Sequence, residues 1–170
     1  VRHHEVAALA LQLLAGVAPG GGLFLVTEWI DGDRNQDAAI AGLLDMLKLP
    51  YTGTGPEGMR FARDKALSKA IIMALGIHVP RHFVLARGER ARNPGLPYPL
   101  IVKPQLDDGS VGITLKSLVR SDRELRAQVR RMRAASTGPL VCEEFIPGCD
   151  LFVGAIGNRP RVLPAIELVF

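Results

Sequence analysis

Apolar residues along this chain follow two spacings, one typical of helices and one typical of buried strands. Apolar positions three and four apart predict helices, and short continuous apolar runs predict strands. The predicted helices cover residues 5–15, 36–48 and 64–75, and a fourth begins at Ser121. The predicted strands cover residues 23–26, 82–86, 100–103, 111–116, 140–145, 151–156 and 162–169.

The order of these elements predicts two kinds of architecture. Helix, strand and helix before the Pro/Gly-rich residues 50–56 are typical of part of an α/β domain. After that segment come a helix, a strand, a hairpin, a helix and further strands, which is typical of an α+β domain. The sequence therefore predicts the end of an α/β domain followed by a small antiparallel sheet with flanking helices.

Composition places the chain among ordinary globular proteins. Hydrophobic residues make up 48% and charged residues 22% of its 170 positions. The longest apolar stretch, residues 6–18, is too short to span a bilayer. Two cysteines, Cys142 and Cys149, do not make a disulfide framework and favour reduced thiols. We therefore expect a cytoplasmic protein with no membrane partner.

The net charge of +4 owes much to one arginine-rich segment. A basic surface of this kind could contact nucleic acid. However, Leu125, Val129 and Met132 form an apolar face on the same helix, and no aromatic residues are interleaved to stack on bases. The pattern favours a solvated helix over a nucleic-acid site. The arginines are Arg120, Arg123, Arg126, Arg130, Arg131 and Arg133.

Several familiar motifs are excluded by their context. Gly53, Gly55 and Gly58 match the spacing of a dinucleotide-binding loop, but Pro56 lies inside it and no acidic residue follows about twenty positions on. A P-loop needs a lysine directly after the glycine, where this chain has Met59. Of the four histidines, two are adjacent and two lack acidic or cysteine companions, so they predict no metal site.

A lysine beside a loop of small residues is the most informative feature. The predicted strand that ends at Lys103 leads into a loop with Gly109 and Ser110, and the next predicted strand contains Gly112. Lysine supplies a positive point charge, and glycine and serine let backbone N–H groups approach phosphate oxygens. This hairpin is expected to bind the phosphate tail of a nucleotide.

Seven short strings, taken in order, resemble one protein family. Any one string is a weak indication, whereas the ordered set within residues 43–167 is specific. The set resembles the ATP-grasp carboxylate–amine ligases, and within them the D-alanine–D-alanine ligases. The strings are residues 49–55, 64–69, 76–80, 101–104, 109–112, 142–148 and 163–167.

The resemblance implies a phosphate end of the site around the hairpin. Lys65 and Lys103 would bind the ATP phosphates. Ser110, with the backbone of Gly109 and Gly112, would belong to the loop that closes over the transferred phosphoryl group. Ser110 and Lys103 are therefore the expected catalytic residues.

The resemblance implies a nucleoside end on a later segment. Glu143 would accept a hydrogen bond from the adenine amino group, and Glu144 and Ile146 would line the adenine pocket. Asp150 would hold the ribose hydroxyls, at a position where the family usually has the longer Glu.

The resemblance also implies the reaction. ATP phosphorylates a carboxylate, and an amine attacks the acyl phosphate to form an amide, so lysines and Mg²⁺ mainly position the reactants and neutralise charge. The expected substrates are ATP and an amino acid, D-alanine, for peptidoglycan precursors in the cytoplasm. The alternatives are a non-catalytic nucleotide-binding module of this fold and a ligase for another amino acid or a peptide. The sequence is compatible with a homodimer.

Three parts of the chain follow from the resemblance. They are a partial N-terminal α/β domain (residues 1–55), an ATP-binding subdomain (residues 56–147) and the start of a C-terminal subdomain (residues 148–170). The family's Mg²⁺ ligands lie on later strands. The resemblance therefore implies Mg²⁺ without placing its ligands in this sequence, and the chain as given is expected to be inactive alone.

Overall fold

Two helices open the described structure. The computed structural model describes residues 36–107, 112–135, 138–157 and 159–168. Helix α1 (Asp37–Met46) buries Ala38, Ala41 and Leu44, which confirms the predicted helix over these residues. Helix α2 (Pro56–Arg63) buries no residue and was not predicted, although a proline in the first turn suits a helix start.

Helix α3 (Lys65–Ala74) confirms the helix predicted over residues 64–75. Its start is fixed by Asp64, whose carboxylate accepts hydrogen bonds from the backbone N–H groups of Ala66 at 3.0 Å and Leu67 at 3.1 Å. These two donors lack partners within the helix, so an acidic cap satisfies them and also suits the positive end of the helix dipole.

A four-stranded antiparallel sheet forms the centre of the described fold. Its strands are β1 (His82–Leu85), β2 (Leu100–Pro104), β3 (Leu118–Val119) and β4 (Leu140–Glu144), in the order β1-β4-β2-β3. The small antiparallel sheet with flanking helices confirms the predicted α+β architecture.

One face of this sheet is covered by helix α4 (Asp122–Ala135), as its apolar spacing predicts. Ser121 Oγ accepts a hydrogen bond from Glu124 N at 3.3 Å at the start of the helix, and Leu125 and Val129 are fully buried. The cluster of buried side chains between helix and sheet is Leu85, Leu100, Val102, Val119, Leu125, Val129, Met132, Leu140 and Cys142.

The second strand of the predicted hairpin was wrongly placed at residues 111–116. The described part of that stretch is a turn followed by a single 3₁₀ turn (Leu115–Ser117), and β3 begins only after it. Thr114 Oγ1 accepts from Lys116 N at 3.2 Å, and Ser117 Oγ accepts from Thr114 N at 3.0 Å. These two side chains satisfy the backbone locally, which stabilises a helical turn over an extended strand.

Two short two-stranded sheets follow the central one. Strand β5 (Asp150–Phe152) pairs with β8 (Ile166–Leu168), and β6 (Ala155–Ile156) pairs with β7 (Arg161–Val162). The chain thus forms four short strands where two longer ones, over residues 151–156 and 162–169, were predicted.

Local chemistry accounts for the interruption of both predicted strands. Gly154 breaks the first, because glycine weakens a strand, and its carbonyl accepts from Leu163 N at 2.8 Å. Pro164 breaks the second, because proline has no N–H to donate to a strand partner.

Part of the sequence lies outside the described residues. The helix predicted over residues 5–15 and the strand predicted over residues 23–26 belong to that part. Among the described helices, none combines the length and the apolar character needed to cross a bilayer.

Candidate functional site

Lys103 and Glu143 point from the face of the central sheet that α4 does not cover. In the register of β2 and β4, Ile101 lies opposite Glu143, and Lys103 lies opposite Val141. Cross-strand partners share a face of the sheet, as do residues two apart along a strand. Lys103 and Glu143 are therefore diagonal neighbours, and Lys103 Nζ lies 2.5 Å from Glu143 Oε1.

A second lysine holds the other oxygen of this carboxylate. Lys69, on α3, forms an ion pair with Glu143 Oε2, so the carboxylate lies between two ammonium groups. The Glu143 side chain is only 6% exposed, against 14% for Lys69 and 25% for Lys103. A carboxylate buried to this extent requires charged partners. Here the partners come from two different elements and tie α3 to the sheet.

Opposing effects act on the pKa of Glu143. Burial raises the pKa, because it takes the charged carboxylate out of water, whereas hydrogen bonds and positive charge from Lys103 and Lys69 lower it. The lysines prevail and hold the pKa of Glu143 below its usual range. Among the described residues, two ammonium groups pair with one carboxylate here, and this excess of positive charge favours an anionic ligand at this face.

The start of α3 is fastened to the loop that follows β2. Gln105 Nε2 donates to the Asp64 carboxylate at 2.8 Å, and Lys65 N donates to Gln105 O at 3.1 Å. Lys65 Nζ also donates to the backbone oxygen of Asp107. Because Lys65 and Lys69 are four residues apart, they lie on the same side of the helix. Both lysines of α3 therefore face the sheet and the loop after β2.

Only the end of the predicted glycine loop belongs to the described structure. Gly109 and Ser110 lie outside it, so their predicted roles stay predictions. Gly112 has φ of +72°, and a Cβ atom there would lie 3.3 Å from the Pro104 Cγ atom. A left-handed backbone this close to a neighbouring ring favours glycine. The loop thus returns against the last residue of β2.

The two consecutive glutamates point to opposite faces of β4, as the strand predicts. Glu144 forms a two-point ion pair with Arg81, in which both N–O distances are 3.1 Å. The hydrogen bond from Arg81 holds the pKa of Glu144 below its usual range. Ile146 and Asp150 are exposed beyond the end of the strand. The structure therefore brings Glu143 to Lys69 and Lys103, pairs Glu144 with Arg81, and leaves Ile146 and Asp150 on an exposed stretch.

Lys69 lies beside Glu143 together with Lys103, and it was not among the predicted site residues. Its ion pair with Glu143 depends on where α3 lies relative to the sheet, which no local pattern specifies. The available indication was its spacing, one helical turn after Lys65 and on the same helix face.

A separate cavity is lined mainly by residues of helices α1, α2 and α3. It has a volume of about 420 Å³, and two carboxylates and two guanidinium groups line it together with apolar side chains. Asp37 and Arg63 pair with each other there, and Asp64 caps α3. Because these charges compensate each other, the lysine-lined face of the sheet is the better candidate for an anion. The charged lining residues are Asp37, Arg60, Arg63 and Asp64.

The described residues do not form a cluster of side chains that could bind a magnesium ion. Within residues 36–107, 112–135, 138–157 and 159–168, no three or more His, Cys, Asp or Glu side chains group in a way that could hold a metal. Glu143 is already held by two ammonium groups, which repel a cation. This part of the chain fits a phosphate anion, and no metal ligand is assigned in it.

Comparisons with known proteins all lead to one family of enzymes. The family model for the D-ala D-ala ligase C-terminus matches residues 71–170. The D-alanine–D-alanine ligase of Desulforudis audaxviator is 34% identical over 145 residues, which cover 82% of this chain and 46% of that protein. That of a Caulobacter species is 33% identical over 159 residues, which cover 92% of this chain and 48% of that protein. The chain thus spans about half the length of these curated relatives.

Solved structures show the same fold. The D-alanine–D-alanine ligase of Bacillus anthracis, solved in complex with ATP, superposes with a TM-score of 0.68 at 24% identity, covering 95% of this chain and 52% of that one. The enzyme of Coxiella burnetii gives a TM-score of 0.69 at 23% identity, covering 92% and 47%. This likeness confirms the predicted fold class.

Proposed function

Because the chain belongs to the D-alanine–D-alanine ligase family, we propose that it binds ATP for an ATP-dependent carboxylate–amine ligase. One observation carries the proposal: on the face of the sheet opposite α4, Lys69 and Lys103 surround the buried Glu143, which gives the described residues there an excess of one positive charge. A partly desolvated positive face of this kind attracts the phosphate tail of a nucleotide more strongly than exposed lysines do.

The phosphate end of the proposed site is built from two lysines on different elements. Lys103 stands on β2 and is the more exposed lysine at Glu143. Lys65 stands at the start of α3, where it reaches the backbone of Asp107 in the loop after β2. We assign both lysines to the ATP phosphates. Their separate origins allow them to approach the phosphate tail from two sides.

The glycine loop is proposed to close over the transferred phosphoryl group. Gly109 and Ser110 are assigned to this role by family resemblance, with Gly112 at the end of the loop. Gly112 has a left-handed backbone, and backbone N–H groups in such turns can point together at an anion. Ser110 and Lys103 remain the proposed catalytic residues.

The nucleoside end is proposed to lie along the segment that leaves β4. Glu143 still has free lone pairs beside its two lysines, since a carboxylate offers about four acceptor sites, and can accept from the adenine amino group. Glu144, whose side chain is held by Arg81 on the other face of the strand, would line the adenine through its backbone. Ile146 would also line the adenine, and Asp150 would hold the ribose hydroxyls. Residues 56–147 would thus form the ATP-binding subdomain, between the end of an N-terminal domain and the start of a C-terminal one.

The proposed reaction joins two amino acids. ATP supplies the phosphoryl group that activates a carboxylate as an acyl phosphate, which an amine attacks. The lysines contribute by holding the phosphates and by neutralising negative charge. We propose D-alanine as the amino acid because the curated relatives carry that name. Cytoplasmic peptidoglycan precursor synthesis and a magnesium requirement then follow from the family.

The proposed function is tested by D-alanine-dependent release of ADP from the full-length gene product. We expect ADP release with D-alanine and magnesium, formation of the D-alanyl dipeptide by mass spectrometry, and no reaction with L-alanine. Lys103→Ala should abolish the reaction, because it removes a phosphate contact. The exposed Lys116 provides the matched control, since Lys116→Ala should leave the rate within about twofold.

Two results would assign a different role. ADP release that responds to D-serine or to a peptide, and not to D-alanine, would identify a ligase of different specificity. Tight ATP binding without ligation of any amino acid would identify a non-catalytic nucleotide-binding module.

A further inference from the structure

The carboxylate of Glu143 competes with phosphate for Lys103. An ammonium group that is paired with a buried carboxylate at 2.5 Å has little charge to offer a second anion. If Lys103 were the sole partner of Glu143, the pair would be neutral, and a nucleotide would have to separate it. Lys69 removes this obstacle, because it binds the other oxygen of the same carboxylate.

The two lysines are not equivalent in their surroundings. Lys69 is the more buried, with 14% of its side chain exposed, and it approaches from α3. Lys103 lies on the face of the sheet opposite α4, with 25% of its side chain exposed. When an anion arrives, Lys103 can therefore turn to it while Lys69 keeps the carboxylate neutralised. A buried Glu143 carboxylate without any partner would be strongly destabilising, and Lys69 prevents this.

We propose that Lys69 is a positioning residue that holds the Glu143 carboxylate, so that Lys103 is free to bind the phosphate tail of the nucleotide. This inference rests on the proposed nucleotide-binding function and adds to it a residue that acts through Glu143. Lys69 determines how strongly the site prefers a nucleoside triphosphate to the bare nucleoside.

The test compares the affinities of the chain for ATP and for adenosine, measured by isothermal titration calorimetry without magnesium. Lys69→Met should lower the ratio of ATP to adenosine affinity by about tenfold, because Glu143 then retains Lys103. Lys69→Arg keeps the positive charge and should restore the ratio to within about twofold of the wild-type value. Lys48 is exposed, so Lys48→Met is the control for the loss of one lysine charge.

The same substitution of Lys69 in a Glu143→Gln protein distinguishes a positioning role of Lys69 from direct contact with phosphate. In Glu143→Gln no carboxylate competes for Lys103, so adding Lys69→Met should change the ratio by less than about twofold. If the tenfold loss persists in that background, Lys69 binds phosphate itself and the positioning role is overturned.

The remaining outcomes also decide the question. An unchanged ratio in Lys69→Met overturns the inference and leaves the nucleotide site intact. A wild-type chain without preference for ATP over adenosine overturns both the inference and the proposed function. Should Lys69→Met fail to fold, Glu143→Gln alone still decides. A ratio within about twofold of the wild-type value supports the inference, because Lys103 is then already free in the wild type, and a larger change in either direction contradicts it.

Discussion

The sheet beneath α4 and the short strands after residue 150 differ sharply in burial. In the first region, Leu100, Val102 and Leu125 expose 0% of their surface. In the second, Phe152 exposes 62% and Val162 exposes 65%. Both regions consist of antiparallel strands, so the difference lies in packing and not in backbone pairing.

This difference bears on where a binding site can be preformed. A close-packed layer behind a strand holds its side chains in place, and buried charges then keep fixed partners. Lys103 and Glu143 stand on such strands. Asp150 stands on β5, where all three residues are exposed. We infer that the phosphate end of the proposed site is preformed, whereas the ribose end depends on a less packed region.

The two cysteines give the largest expected contrast between the regions. Cys142 is buried in the central sheet, and burial raises its pKa to about 12, whereas Cys149 is exposed just before β5. Because the thiolate is the reactive form, a thiol reagent at pH 8 should modify Cys149 at once. It should modify Cys142 at least about a thousand times more slowly, at the rate at which the sheet opens. Comparable rates in native protein, followed by peptide mass spectrometry, would contradict the packed sheet.

A matched pair of leucine substitutions tests the same contrast energetically. Leu125→Ala removes a fully buried side chain from α4 and should lower the free energy of unfolding by about 2–5 kcal/mol. Leu151→Ala, at a leucine that is 60% exposed, should lower it by about 0.5 kcal/mol or less. Urea unfolding followed by circular dichroism measures both values. Equal losses would show that the two regions are packed alike.

Removing the carboxylate of Glu143, which pairs with Lys69 and Lys103, should have an intermediate effect on stability. Glu143→Gln leaves Lys69 and Lys103 close together without a carboxylate and should lower the free energy of unfolding by about 1–2 kcal/mol. This value is below that for a fully buried pair, because Lys103 is partly exposed. Glu167→Gln, at an exposed glutamate of β8, is the matched control and should change stability by less than about 0.5 kcal/mol.

The pH dependence of this effect has a definite sign. The folded-state pKa of Glu143 is lowered, so its stabilising contribution is fully present above the unfolded carboxyl pKa of about 4.3. It is lost as the pH falls through the lower folded-state value. The difference in unfolding free energy between wild type and Glu143→Gln should therefore narrow as the pH is lowered from about 5 to about 3. A difference that widens on acidification would show that the carboxylate is not held by the lysines.

The sequence alone was enough to predict an element correctly where a local pattern determines its structure. The apolar spacing of Leu125, Val129 and Met132 predicted both the helix α4 and the face it buries. The apolar run before Lys103 predicted a strand, and β2 contains it. The helical periodicity fixes both the helix and its buried side, and the short apolar run fixes the strand, so little depends on distant residues.

The rest depended on contacts that no local pattern contains. Helix α2 has eight residues and begins at the end of the Pro/Gly-rich residues 50–56, so it is too short for a helical periodicity to be recognised. Strand β3 has two residues and exists through its pairing with β2. Lys69 joins the site only because the fold places α3 beside the sheet and brings the lysine to Glu143.

The central claim is that the face of the sheet opposite α4 holds nucleotide phosphate through Lys103. The most direct measurement is the calorimetric affinity of the chain for ATP and for adenosine in wild type, in Lys103→Met and in the exposed-lysine control Lys116→Met. We predict that Lys103→Met loses about tenfold or more in ATP affinity and keeps its adenosine affinity, while the control stays within about twofold for both. An ATP affinity that is unchanged in Lys103→Met would contradict the claim.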